Sequence, residues 1–211
     1  MTEPEYLTLA RTAYDTVAED YAAMLRDELA RNPHDRAVLG LFAELVSGKV
    51  VDAGCGPGRI SGHLAGLGVD VHGVDLSPAM VGVARREFPA LEFAVGSLLE
   101  LDEPDGALGG VVAWYSVIHV PRELHATVFA GFHRVLAPGG LLQLAFQVGD
   151  ISRRLEQGYG HEIALDVHRL RPDVVAGQLV DAGFTVVSTV ERAAVAPEKA
   201  PQAYVLARRN A

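Results

Sequence analysis

The sequence predicts a doubly wound α/β fold, a mostly parallel, seven-stranded sheet with helices on both faces and an antiparallel C-terminal hairpin. Three observations point to it. Short apolar runs alternate with longer segments patterned as helices, which is the order of a parallel sheet joined by crossover helices. Several of those segments carry helix boundary signals. Two strand-like runs then close the chain with no helix between them, and strands joined without a crossover pair antiparallel.

Taken in order, helical patterns cover 4–31 and 35–47, and a first strand-like run, KVVDA, covers 49–53. A helix over 59–67 leads to a second strand at 69–74, VDVHGV. Ser77 followed by Pro78 reads as an N-cap with proline in the first turn, opening a helix over 77–87. Strands follow at 91–95 and 110–115. Pro121 opens a helix over 121–136, APGG at 137–140 ends it, and GLLQLAFQ at 140–147 is the fifth strand. Beyond 147 the period loosens, so 148–171 is expected to be a substrate-facing insertion. A helix over 172–182 ends at Gly183, and FTVVSTVERA and QAYVLARR supply the last two strands.

The chain has 211 residues, 49% of them hydrophobic, enough for one core and one domain over 1–211. Its N-terminus has no basic stretch followed by an apolar core, and its longest nearly uncharged apolar run, 107–120, is too short to span a bilayer. A cytoplasmic protein without membrane attachment is expected. One cysteine, Cys55, makes neither an internal disulfide nor a metal set, so no metal is expected. The net charge is −9, with Lys49 and Lys199 as the only lysines against sixteen arginines. Such a chain does not attract nucleic acid in general, and a small molecule or a protein fits better as partner. Composition is silent on oligomeric state.

The stretch VVDAGCGPGRI, 50–60, runs from an apolar strand into a helix. Its free amides lie at a helix N-terminus, where anionic groups and hydrogen-bond acceptors are favoured. A phosphate-binding loop needs Lys followed by Ser or Thr, which is absent, and a dinucleotide fingerprint needs a third glycine where Arg59 stands.

The run of Val50, Val51, Asp52, Ala53, Gly54, Cys55, Gly56, Pro57 and Gly58 instead resembles the first motif of class I S-adenosylmethionine-dependent methyltransferases, small-molecule type. Three more stretches extend the likeness: VHGVDLSP, ending on Asp75 and Leu76; VVAWYSVIHVP; and HRVLAPGGLLQLAF. The resemblance implies the methyl donor as cofactor, leaving as S-adenosylhomocysteine, with its methionine part against Gly54, Cys55, Gly56 and Gly58. Asp75 lies 21 residues after Gly54; at that spacing one carboxylate suits two vicinal ribose hydroxyls. Asp52 braces the loop or meets the donor's amino group. Where the family places an acid for adenine, this sequence has Ser97, with Leu98 beside it, which moves adenine recognition toward backbone groups. Tyr115 and Ser116 would wall the methyl-transfer side, while Trp114, one step out of phase, packs on the other face.

Upstream, Tyr14, Val17, Ala18, Tyr21 and Leu25 fall on one helical stripe, either core or, by the same resemblance, a lid over 1–35 whose tyrosines meet the donor's carboxylate. His119 is the candidate general base, since histidine is poised near neutral pH; it can equally be a packed histidine. His161 and His168 are candidate acceptor contacts. The expected reaction is in-line methyl transfer to a small molecule. A donor-binding protein without turnover and a protein methyltransferase stay open, and a nicotinamide oxidoreductase is disfavoured by Arg59.

Overall fold

The computed structural model describes residues 4–211, so residues 1–3 of the expected lid lie outside the described residues. The element order is α1 Glu5–Leu25, α2 Glu28–Arg31, α3 Pro33–Leu45, β1 Val50–Ala53, α4 Arg59–Gly66, β2 Val71–Asp75, α5 Pro78–Glu87, β3 Phe93–Val95 and β4 Leu108–Trp114. Then come α6 His125–Val135, β5 Leu136–Gln147, β6 Ser152–Gly158, β7 His161–His168, α7 Pro172–Asp181, β8 Phe184–Arg192 and β9 Gln202–Arg209.

Seven strands form one sheet in the order β3-β2-β1-β4-β5-β9-β8. The pairs β1/β2, β1/β4, β2/β3 and β4/β5 are parallel, and β9 runs antiparallel to both β5 and β8. All four residues of β1 are buried, which is why this strand reads as an unbroken apolar run around Asp52. On one face, Val128, Phe129 and Phe132 of α6 and Val175 and Leu179 of α7 pack with Val51, Val111 and Leu144. On the other, Leu39 and Phe42 of α3 and Ile60 and Leu64 of α4 pack with Val50, Val112 and Tyr204. Trp114 joins this second cluster, its ring centroid 5.5 Å from that of Tyr204.

The Ser77 cap is present: its Oγ accepts from Met80 N at 3.1 Å, with Pro78 in the first turn. Four expectations need correction. The first helical stretch breaks after Leu25, and α3 begins at Pro33, where the Asn32 side chain accepts from Asp35 N. Pro121 opens a short 3-10 turn, Arg122–Leu124, and α6 starts only at His125. β5 begins directly at Leu136, with a register shift against β4 before the regular ladder resumes at Leu141. The irregular segment 148–171 is in fact a β-hairpin, β6 and β7, forming a two-stranded sheet of its own. Its turn, Tyr159-Gly160, has positive φ at both residues, 54° and 86°, as a two-residue hairpin loop requires.

The strand order reverses between β1 and β4, the place where open α/β sheets bind ligands beyond the C-terminal strand ends. Over that place lie α1 and the hairpin.

Candidate active site

The loop after β1 begins when Gly54 N and Cys55 N both donate to Val74 O, at 2.7 and 3.1 Å. Its three glycines are needed for different reasons. A Cβ on Gly54, at φ 80°, would collide with the Ser116 side chain. Gly58, at φ 83°, precedes α4, and a Cβ there would press into Phe88 and Phe93. Only Gly56 faces open space: at φ 54°, its Cβ would meet nothing nearer than Tyr21 Cε1 at 3.9 Å. The close approach of a ligand therefore rests on Gly56, with Gly54 at the margin; Gly58 is conformational and does not border the cleft.

Two more of the expected ligand contacts turn inward. Cys55 is buried with Val81, Ala84 and Phe93, and burial raises its thiol pKa. Asp52 is fully buried and braces α4, accepting from Ser61 Oγ at 2.7 Å. Desolvation pushes its carboxyl up to about 7, against the pull of the Ser61 hydroxyl and Arg59.

A cleft opens at the strand ends. Gly54, Gly56, Asp75, Leu76, Ser97, Leu98, Tyr115, Ser116, Tyr14, Tyr21 and His119 all line it. Asp75 accepts from Gly56 N at 2.7 Å through one carboxylate oxygen and from Ser77 N at 2.8 Å through the other. Burial raises its pKa while these two amides lower it. Each oxygen keeps acceptor capacity, so the carboxylate can still take two hydroxyls. Ser97 Oγ accepts from Leu99 N at 3.2 Å, and Ser116 Oγ donates to Ala53 O at 2.7 Å. Tyr115 holds a left-handed backbone, φ 57°, strain of the kind found at functional turns, and burial beside Tyr204 raises its phenol pKa.

The 3-10 turn Val117–His119 after β4 carries His119 to the other end of the cleft. His119 Nδ1 lies 3.0 Å from the Asp166 carbonyl. A carbonyl only accepts, so Nδ1 bears the proton and Nε2 holds the lone pair. The Tyr14 hydroxyl, 2.7 Å from Nε2, is then the donor. Burial pulls the His119 pKa down to about 4, with the Asp166 carbonyl opposing, so the ring is neutral at physiological pH. Burial also raises the phenols of Tyr14 and Tyr21. Tyr21 meets Tyr14 edge-on at 5.8 Å and Tyr159 of the hairpin at 4.9 Å.

His161 and His168 do not border this cleft, which corrects their placement as acceptor contacts. His161 Nε2 bonds Asp20 of α1 at 2.7 Å and His168 Nδ1 bonds Ser152 Oγ at 2.6 Å; both side chains tie the hairpin together or to α1. Sequence reasoning missed Tyr6, Leu7, Ala10, Leu99 and Val120, which also line the cleft. The first three continue the Tyr14–Tyr21 stripe toward the N-terminus, so the signal was there. Among the described residues no group of three or more His, Cys, Asp or Glu is placed to hold a metal, and no helix is long and apolar enough to cross a membrane.

A sheet of this strand order, a glycine loop at its switch point and a carboxylate ending the next strand define the class I S-adenosylmethionine-dependent methyltransferase fold. Residues 50–140 match a family model described as a methyltransferase domain. An uncharacterized methyltransferase of Synechocystis sp. is 29% identical over 154 residues, 66% of this chain and 68% of that protein. A demethylmenaquinone methyltransferase of Chlorobaculum tepidum is 36% identical over 93 residues, 44% of this chain; the chain spans only 38% of that relative's length. Among solved structures, a 1,6-didemethyltoxoflavin-N1-methyltransferase of Burkholderia thailandensis superposes with a TM-score of 0.76 at 23% identity, covering 100% of this chain and 92% of that one. That neighbour was crystallised with S-adenosylhomocysteine and its acceptor.

Proposed function

We propose that this protein transfers the methyl group of S-adenosylmethionine to a small-molecule acceptor. One observation carries the reading: a single cleft joins the Gly56–Asp75 end to the Tyr14–His119 pair. The residues fit the cofactor. Gly56 is a cradle a side chain would fill, and Asp75 offers unused acceptor capacity for a ribose. Leu76 and Leu98 supply apolar walls for a purine, while Ser97 stands where an acid is expected, leaving the amino group to the backbone. When bound, S-adenosylmethionine supplies an electrophilic methyl group and leaves as S-adenosylhomocysteine.

The chain's own contribution is alignment, exclusion of water and movement of a proton. α1 and the hairpin cover the cleft. Tyr14 Oη donates to His119 but can still accept, so an acceptor hydroxyl can donate to it. As the acceptor's proton passes to Tyr14, Tyr14's proton passes to His119 Nε2, and the resulting imidazolium stays bonded to the Asp166 carbonyl through Nδ1. His119 is thus the general base, acting through Tyr14. The described residues lining the cleft include no Arg or Lys, and the net charge is −9, so the acceptor is neither a nucleic acid nor a strongly anionic metabolite. Action in the cytoplasm is part of this reading; among the described residues no helix is long and apolar enough to cross a membrane.

The experiment is a metabolite-library screen with labelled methyl donor and mass measurement of the product, paired with calorimetry of S-adenosylhomocysteine. Asp75→Ala should weaken that binding by about ten- to hundredfold, the loss of about 1.5–3 kcal/mol of charge-assisted hydrogen bonding. Unchanged affinity would remove Asp75 from the site, and no binding by the parent at millimolar concentration would end the methyl-transfer reading.

A further inference from the structure

We propose that Tyr6 determines acceptor specificity: its phenol hydrogen-bonds a polar, uncharged group at the end of the acceptor remote from the methylated atom. The proposal rests on the methyl-transfer reading, which places the reacting atom at the Tyr14–His119 pair.

Tyr6 lies on α1 eight residues before Tyr14, two helical turns and about 12 Å along the axis, and lines the same cleft. Apolar residues share the lining with it, Leu7 and Ala10 of its own helix and Leu99 and Val120 among them. The Tyr6 hydroxyl is nevertheless closed off from solvent, with no hydrogen-bond partner among the described residues. Buried hydroxyls are almost always paired, because leaving one unpaired in apolar surroundings is unfavourable. Two other hydroxyls of the cleft are committed: Tyr14 gives its proton to His119 and Ser116 gives its proton to Ala53. Tyr6 therefore keeps both donor and acceptor capacity for something that enters the cleft.

The lining also states what that group is. Among the described residues no Arg or Lys borders the cleft, and its one carboxylate, Asp75, is bonded to the glycine loop at the cofactor end. An ionised acceptor terminus would have no counter-charge beside Tyr6, whereas a carbonyl or hydroxyl needs only the phenol. The stripe of Tyr6, Ala10 and Tyr14 along one helix face suits a flat, largely aromatic body between the two phenols.

The test uses two matched bicyclic phenols, 2-naphthol and 6-acetyl-2-naphthol, which differ in a carbonyl at the far end of the ring system. Each is titrated calorimetrically into the full-length protein saturated with S-adenosylhomocysteine, for the parent and for Tyr6→Phe. The parent should bind the acetyl compound about three- to tenfold more tightly, the gain from one neutral hydrogen bond, and Tyr6→Phe should lose that preference while binding S-adenosylhomocysteine as the parent does. Equal affinity of the parent for both compounds, retention of the preference in Tyr6→Phe, or no binding of either compound to the loaded parent at millimolar concentration would overturn the assignment. Failure of the parent to bind S-adenosylhomocysteine is a separate result and would remove the methyl-transfer reading instead.

Discussion

His119 is held in one tautomer by a main-chain carbonyl, and its chemistry follows from that single contact. With Nδ1–H fixed on Asp166 O, the lone pair on Nε2 points at Tyr14, and burial keeps the ring neutral by pulling its pKa to about 4. A base already neutral at pH 5 does not become more competent between pH 5 and 8. The pH profile of kcat/KM should accordingly show no histidine inflection near 6.5, and should fall on this group's account only as pH approaches about 4; an acid limb centred near 6.5 would show that His119 titrates as a solvated imidazole. His119→Asn should lower kcat by about 10²- to 10⁴-fold while leaving S-adenosylhomocysteine binding intact, and a loss within about threefold would dismiss the base role. The sequence could nominate His119 from its place after the fourth strand. It could not show the tautomer, because the carbonyl that sets it arrives from 47 residues away.

The elements of the Rossmann-like half were readable for a physical reason: each strand and helix buries a continuous apolar surface and ends on a local signal. Ser77-Pro78 and the glycines after β1 are such signals: the first caps α5, and the others mark the turn into α4. Elements outside the sheet were harder. The β6–β7 hairpin buries only one face, its turn is Tyr-Gly in place of the usual Asn-Gly or Asp-Gly, and its register shifts between Leu155 and Gln157. Yet Ile163, Leu165 and Val167 alternate strictly with Glu162, Ala164 and Asp166, a period of two that identifies the second strand. The site showed the same division. The glycine loop and Asp75 are encoded within one βαβ unit, while the rest of the cleft is lined from α1 and the turn after β4, with the hairpin behind them through Asp166 O on His119 and Tyr159 against Tyr21. What seats α1 is Asp15, whose carboxylate accepts from Ser77 Oγ at 2.5 Å and from Ala79 N at 3.0 Å, at the N-terminus of α5, where negative charge is favoured. Asp15→Ala should destabilise the fold by about 1–2 kcal/mol and speed protease cleavage within residues 5–25; an unchanged cleavage rate would show that the hairpin alone holds the helix down. Saturating S-adenosylhomocysteine should slow cleavage of the parent there, since a ligand that binds only the covered state draws the population toward it.

Across the whole molecule, two buried groups on either side of the cofactor loop set opposing dependences of stability on pH. Asp52 lies within the buried run of β1 with its carboxyl pushed up to about 7, while an unfolded aspartate titrates near about 3.9. Between those values the folded chain holds a proton that the unfolded chain has lost, so this group's stabilisation is full below about pH 4 and fades as pH rises toward 7. His119 works the other way. Its pKa is about 4 in the fold and near about 6.5 unfolded, so the unfolded chain binds the extra proton and stability falls as pH drops through that window. Over pH 4.5–6.5 the two slopes oppose each other. Removing one group should expose the other. Urea unfolding at pH 5, 6 and 7 should show Asp52→Asn gaining stability relative to the parent as pH rises, by about 1 kcal/mol per pH unit, whereas His119→Gln should lose stability relative to the parent over the same steps. If the Asp52→Asn and parent curves run parallel from pH 5 to 7, Asp52 is ionised throughout, and a charged brace lies beneath the loop that receives the cofactor.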